Sequence, residues 1–246
     1  MASPLEGRSV VITRAVAQNA SLRTLLEARG AVVVEVPLIT IAEPEDEGRE
    51  RDAVLQRLHE FAWVVVTSPN GAERLAPFVN AGHAAGDHES FPLVAAVGSA
   101  TANTVGSPVA LVAEPARADV LAEIFPTGSG RVLVVQGSLA DEALSRAIED
   151  KGWDVVRVVA YRTLHLRPAR EAMLPALAAD VLLLASGSAA SAWFDAFGAS
   201  TPPFVVAIGP STAKVARDLG LVLSAVAEEQ TLESLIGAAE RVVDAH

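Results

Sequence analysis

Tyr161 is the only phenol in a chain that has no cysteine. The missing thiol removes thiolate nucleophiles, iron–sulfur ligation, cysteine-held zinc and disulfides together. The phenol is a candidate for function, since its hydroxyl can donate as well as accept a hydrogen bond. Packing alone is its plainer role. The other chemistry-bearing residues are small and polar, and they fall in six turns: Thr13-Arg14, Thr67-Ser68-Pro69-Asn70-Gly71, Gly98-Ser99-Ala100-Thr101, Gln136-Gly137-Ser138, Ser186-Gly187-Ser188 and Gly209-Pro210-Ser211-Thr212. Hydroxyls and amides in such places cap helices, which is the simple reading of any one turn. They also flank helix N-termini, whose free N–H groups and positive dipole end receive anions. Gly98 and Gly209, both followed by hydroxyl residues, favour ligand contact at their two turns.

Several familiar chemistries fail on context. Gly128-Ser129-Gly130 precedes a strand instead of opening a helix, so it is no dinucleotide fingerprint, and the chain has neither a Gly-Lys-Ser/Thr phosphate loop nor a Gly-x-Ser-x-Gly elbow. His83, Asp87 and His88 could be drawn as metal ligands, but their Ala/Gly-rich surroundings lack the further ligands a zinc site needs and read as a solvated loop. His59 and His165 read as structural or exposed. No metal and no cofactor are expected.

Lys151 and Lys214 are the only lysines beside 17 arginines, so planar guanidinium forks are on hand to clamp carboxylates. A net charge of −11 opposes binding to nucleic acid or to an anionic membrane, each of which needs a basic face. An anionic small molecule stays possible in a pocket that gathers local donors. Ser90 to Ala113 is uncharged and longer than the roughly 20 residues that span a bilayer, yet Pro92, Gly98, Asn103, Gly106 and Pro108 suit strand, turn and short helix better. The opening Met1-Ala2-Ser3-Pro4-Leu5-Glu6-Gly7-Arg8 lacks the order of a secretory signal. A cytoplasmic monomer is expected.

The elements that position these turns come from a duplication. Gly7-Arg8-Ser9-Val10-Val11-Ile12-Thr13-Arg14, with Leu22, Leu25 and Leu26 at helical spacing and then Gly30 and Val32, recurs as Gly130 to Gly137 with Leu144, Ala147, Ile148, Gly152 and Val155. Each copy reads as strand, helix, strand, with glycine closing the helix. A second unit runs from Trp63 to Ala72 and from Val94 to Ala102, and returns as Val181 to Ala190 and Val205 to Ala213. Strands that alternate with helices of 10 to 15 residues mean βα units on parallel sheets. The repeats predict two similar α/β domains, each a doubly wound five-stranded parallel sheet of flavodoxin-like order.

A simple cut at Pro126 to Gly130 would separate the halves in succession. The second strands of the first-type unit run too long for that, since Val32 to Ile41 and Asp154 to Leu166 exceed an ordinary strand of 5 or 6 residues by about one strand length. The preferred division therefore makes one domain of 1–36 with 169–246 and another of 44–160. Residues 37–43 and 161–168 form a two-stranded hinge, with Tyr161 facing the gap.

The series Val66-Thr67-Ser68-Pro69-Asn70-Gly71-Ala72, Val97-Gly98-Ser99-Ala100-Thr101-Ala102, Val158-Val159-Ala160-Tyr161-Arg162-Thr163, Ile208-Gly209-Pro210-Ser211-Thr212-Ala213 and Ala227-Glu228-Glu229-Gln230-Thr231-Leu232-Glu233 resembles uroporphyrinogen-III synthase, in order and along the whole chain. The resemblance implies the interleaved two-domain fold. It further implies a hydro-lyase of tetrapyrrole (haem, sirohaem, cobalamin) synthesis that closes linear hydroxymethylbilane to uroporphyrinogen III, inverting the last pyrrole ring with loss of water. By the family's pattern Tyr161 corresponds to the tyrosine that assists hydroxyl departure, and Thr101, Ser211 and Thr212 to hydroxyls lining the cleft. Arg14, Ser68, Asn70, Gly98, Ser99, Gly137, Ser186, Ser188 and Gly209 complete the expected substrate-binding set, which would hold eight carboxylates by backbone N–H groups and side chains. The chain departs from the family at Ala15, where proline is frequent, and at Ser138 to Asp141, where Gly-Gly-Arg is frequent. A non-catalytic two-domain protein that senses an anion is the rival reading.

Overall fold

The computed structural model describes residues 3–84 and 91–246; Asp87 and His88 lie outside them, as does the side chain of His83. In chain order the first segment gives β1 (Ser9–Ile12), α1 (Val16–Glu27), β2 (Val32–Glu35) and β3 (Ile39–Ala42). The middle gives α2 (Arg49–Leu55), a 3-10 turn, β4 (Trp63–Val66), α3 (Pro69–Ala84), β5 (Leu93–Ala96), α4 (Ser99–Val105), β6 (Leu111–Val112), α5 (Ala118–Ile124), β7 (Arg131–Gly137), α6 (Ala143–Glu149) and β8 (Asp154–His165). The last segment gives α7 (Arg170–Ala178), β9 (Val181–Leu184), α8 (Gly187–Phe197), β10 (Phe204–Ala207), α9 (Pro210–Asp218), β11 (Ala225–Val226) and α10 (Leu232–Asp244).

The chain divides into two compact units, one of residues 1–40 and 164–246 and the other of 41–163. In the first, the strands lie in the order β2-β1-β9-β10-β11, with parallel pairing throughout. The strands are short runs of Val, Ile and Leu because both faces are covered, and such strands need no polar side. Val10, Ile12 and Leu183 pack on Leu22 and Leu26 of α1 and Leu235 and Ile236 of α10. Val11, Leu182 and Leu184 point the other way, onto Ala190 and Trp193 of α8 and Ala216 of α9. The helices that follow β1 and β9 thus cover opposite faces.

The second unit repeats that order as β8-β7-β4-β5-β6. Here α3 brings Ala72, Leu75 and Val79 to Val64 and Val66 on one face, and α6 brings Leu144 and Ile148 to Val65, Val132 and Val134 on the other. The α/β class and the doubly wound parallel order are those the repeats predict. One strand more than expected is present, because β3 lies outside β8 as a sixth member of this sheet. Its residues fall in 37–43, the segment read from sequence as one strand of the two-stranded hinge. Among the described residues no helix is long and apolar enough to cross a membrane; the uncharged stretch ending at Ala113 is divided among β5, α4 and β6.

At the amino-terminal edge of the first sheet, Asp180 ties the start of β9 to β1. Its Oδ2 accepts the Ser9 hydroxyl at 2.7 Å and the Ser9 N–H at 2.8 Å, and its Oδ1 accepts from Arg8 Nη1 at 3.1 Å. The Ser9 hydroxyl, then the Ser9 N–H, hold this carboxyl below the ordinary aspartate range, with Arg8 adding to them. A carboxyl whose folded pKa is depressed stabilises fully above the unfolded value of about 3.9 and stops doing so as pH falls through the folded one. Asp180→Asn is therefore expected to unfold at lower denaturant than the unsubstituted chain at pH 7, with the gap shrinking below about pH 4. A gap that stays constant down to pH 2 contradicts this role.

Candidate functional site

In an open parallel sheet a crevice forms beyond the carboxyl ends of the two strands whose following helices go to opposite faces. In the second unit those strands are β7 and β4. β7 and β8 run in step from Arg131 opposite Asp154 to Gln136 opposite Val159, and then Gly137 stands opposite Tyr161, so Ala160 is an extra residue. Such a bulge bends the strand and re-aims the next side chain. The Ala160 carbonyl is taken by Arg51 Nη1 at 2.9 Å, and the Tyr161 carbonyl accepts the Ser138 N–H at 3.0 Å.

Tyr161 consequently lies over Gly137, where a Cβ would fall 2.7 Å from its Cζ and 2.9 Å from its hydroxyl. Only a glycine lets the ring cross β7. The phenol then reaches the turn after β4 and meets Ser68 Oγ at 3.0 Å. Ser68 Oγ also accepts the Gly71 N–H at 3.2 Å, capping α3. Arg74, nearly one turn beyond Gly71, sets its guanidinium 5.7 Å from the centre of the Tyr161 ring, within range of a cation–π attraction. Asn70 is half-buried in the first turn of α3, and its carbonyl accepts from Arg74 Nη1 at 3.0 Å. Sequence thus brings Tyr161, Ser68, Asn70 and Gly137 to one place.

Gly98, Ser99 and Thr101 stand at the next turn, after β5. Gly98 has φ 87°, and a Cβ there would meet Ala116 Cβ at 2.4 Å, so the glycine serves a close approach by the loop after β6. Ser99 is exposed, whereas Thr101 is buried in the first turn of α4 and presents no open hydroxyl.

The first unit places Ser186 where the second has Ser68. Its Oγ accepts the Ala189 N–H at 3.1 Å, as Ser68 does from Gly71, but its other partner is Ser188 Oγ at 3.0 Å. Across the crevice from Ser186, Arg14 stands just after β1, at the position that corresponds in the repeat to Gly137 at the end of β7. Arg14 is half-buried and, among the described residues, makes no ion pair; burial alone acts on it and pulls its pKa below the usual arginine value. An arginine keeps its proton regardless, so the cation lacks a counter-charge. Beside it, α1 is preceded by Ala15, which gives no side-chain cap, and has no acid in its first turn, and Thr13 Oγ1 is fully buried with no hydrogen-bond partner. An uncapped helix N-terminus next to an unpaired guanidinium is a donor set for a carboxylate. Gly209 adjoins Gln230, whose Cγ a Cβ would meet at 2.8 Å; Ser211 is exposed and Thr212 buried.

Three residues around Tyr161 were not singled out from sequence. Arg51, Glu43 and Arg74 lie far from it along the chain, and no spacing links them to it. His165, read as structural or exposed, pairs its Nδ1 with Asp195 Oδ2 at 2.6 Å. Among the described residues no group of His, Asp and Glu is arranged to hold a metal.

A family model described as uroporphyrinogen-III synthase HemD matches residues 20–237. The chain is 31% identical over 231 residues to the chloroplastic uroporphyrinogen-III synthase of Oryza sativa subsp. japonica, an alignment covering 86% of this chain and 73% of that protein. It is 25% identical over 260 residues to the uroporphyrinogen-III synthase of Synechococcus elongatus, covering 97% and 96%. A crystal structure of a mutant uroporphyrinogen III synthase from Thermus thermophilus superposes with a TM-score of 0.65 at 21% identity, over 98% of this chain and all of that one, and shares the fold.

The placement of Tyr161 rests on Gly137, and that is open to test. Gly137→Ala puts a methyl group 2.7 Å from Tyr161 Cζ, overpacking that costs about 1–3 kcal/mol. The expected outcome is a lower unfolding midpoint and displaced ring resonances of the single tyrosine. Unmoved resonances with unchanged stability contradict the packing described.

Proposed function

The chain belongs to the uroporphyrinogen-III synthase family, and from that premise we propose that it closes hydroxymethylbilane to uroporphyrinogen III, with loss of water and inversion of the last pyrrole ring. The observation that carries the reaction onto particular atoms is the 3.0 Å contact between Tyr161 Oη and Ser68 Oγ at the carboxyl end of β7 and β4. Closure begins by breaking the bond between the hydroxymethyl carbon and its oxygen, and that oxygen leaves as water once it gains a proton. Ser68 Oγ already accepts the Gly71 N–H. Its own proton can then point to Tyr161 Oη, which frees the phenol O–H for the leaving oxygen and supports the phenolate once that proton is given. The ring carbon that attacks loses a proton at the end, so water is the net product.

The substrate's carboxylates need donors that a chain of net charge −11 offers only locally. In this reading Arg14 and the uncapped start of α1 bind one carboxylate; Ser186, Ser188 and Ser211 offer hydroxyl donors at other strand ends of the first unit, and Asn70 and Ser99 offer amide and hydroxyl donors at strand ends of the second. Residues 37–43 and 161–168 serve as the hinge strands. Hydroxymethylbilane closes unaided without inversion, so the protein's larger task is to hold the folded chain for the inverting route.

The test is incubation with freshly made hydroxymethylbilane and identification of the isomer after oxidation. Isomer III in excess of a protein-free control is expected; isomer I at the control rate overturns the reading. Tyr161→Phe removes only the hydroxyl and is expected to cut turnover by about tenfold or more, the remaining product staying isomer III. Arg14→Met is expected to raise KM about tenfold, the loss of one charge-assisted contact, with little change in kcat. Unchanged kinetics in both variants contradict these assignments.

A further inference from the structure

We propose that Glu43 is a positioning residue for Tyr161, acting through two arginines that its carboxylate holds apart. This rests on the assignment of Tyr161 above. Glu43 Oε1 accepts from Arg74 Nε at 3.0 Å and from Arg74 Nη2 at 2.8 Å, while Oε2 accepts from Arg51 Nη1 at 2.5 Å. Each oxygen therefore fixes a different guanidinium. Arg74 lies over the ring of Tyr161, and Arg51 holds the carbonyl of Ala160, the extra residue of the bulge. On the other side, Arg162 Nε donates to the backbone carbonyl of Glu43 at 3.0 Å. Tyr161 is thus held at its ring and at the residue on either side of it, with Glu43 common to all three.

The cost of this arrangement shows that it is specified. Arg51 is 8% exposed, and a buried guanidinium is tolerated only when its donors are paired. The pairing comes from Glu43, Ala160 and Asp52. The loop before it is shaped to fit: Gly48 has φ 82°, and a Cβ there would lie 2.4 Å from Arg51 Nη2. Burial disfavours the charge on Glu43, yet the bonds from Arg51 and Arg74 outweigh it and hold the carboxyl below the ordinary glutamate range, so the bridge is ionised at neutral pH. A strand bulge without such a clamp leaves a carbonyl unpaired and its neighbour free to turn.

Because the chain has one tyrosine, protein labelled with 13C-tyrosine reports Tyr161 alone, without substrate. Glu43→Gln, which keeps the size of the side chain and removes its charge, is expected to shift those ring signals. It should lower kcat about tenfold while KM changes less than twofold, and have no further effect on kcat when added to Tyr161→Phe. Arg74→Met leaves the Arg51 clamp in place and is expected to do the same; it carries the test if Glu43→Gln does not fold. Unmoved ring signals in a folded variant, or a kcat loss that simply adds to that of Tyr161→Phe, overturns the proposal. The ring signals decide it even if the wild-type chain makes no isomer III, an outcome that overturns the functional reading and not the positioning.

Discussion

The second unit is organised around a phenol that crosses a strand. Tyr161 stands on β8, its hydroxyl partner Ser68 follows β4, and β7 lies between them. For the two to meet, the intervening strand must end in a residue with no side chain, the Tyr161 strand must break register just before the ring, and the carbonyl exposed by that break must find a donor. Gly137, the extra Ala160 and Arg51 meet these three conditions in turn. A β-bulge leaves a residue unpaired, and a buried arginine must be neutralised by acids that themselves need holding.

The duplication makes the specialisation visible, because the first unit has the same frame with different contents. Ser68 and Ser186 cap equivalent helices through equivalent N–H groups. What differs is the second bond of each hydroxyl, to Tyr161 in one unit and to Ser188 in the other. Likewise the strand that ends in Gly137 in one unit ends near Arg14 in the other. One crevice holds a phenol with an arginine beside its ring, and the other holds an arginine that, among the described residues, makes no ion pair, next to a helix N-terminus without a side-chain cap. Under the proposed function, the same βα frame serves proton transfer in one half and anion binding in the other.

Much of the frame was legible in the residues. Runs such as Val64-Val65-Val66 and Leu182-Leu183-Leu184, each followed by a serine and a helix, could only be strands buried on both faces, and their repetition gave the parallel order. The strand count of the second sheet was not legible, since Ile39 to Ala42 reads as a hinge strand apart from the five-stranded sheet and not as its sixth member. Residue type named Tyr161, Ser68 and Gly137 as site candidates but could not say that glycine there makes room for the ring. Thr101 and Thr212 show the limit of reading hydroxyls at helix starts, because the first turn of a helix has an inner side, and both point into it. The Glu43 bridge left no local trace at all: Arg51 and Ala160 are 109 positions apart, with no spacing or motif between them.

The proposed function makes the Tyr161 phenol the place where the tetrapyrrole reacts, and the single tyrosine allows a direct measurement. Uroporphyrinogen III, titrated anaerobically into protein labelled with 13C-tyrosine, is predicted to move the Tyr161 ring signals along the same saturation curve that describes its binding by an independent method. Saturable binding that leaves those signals where they were would contradict the account.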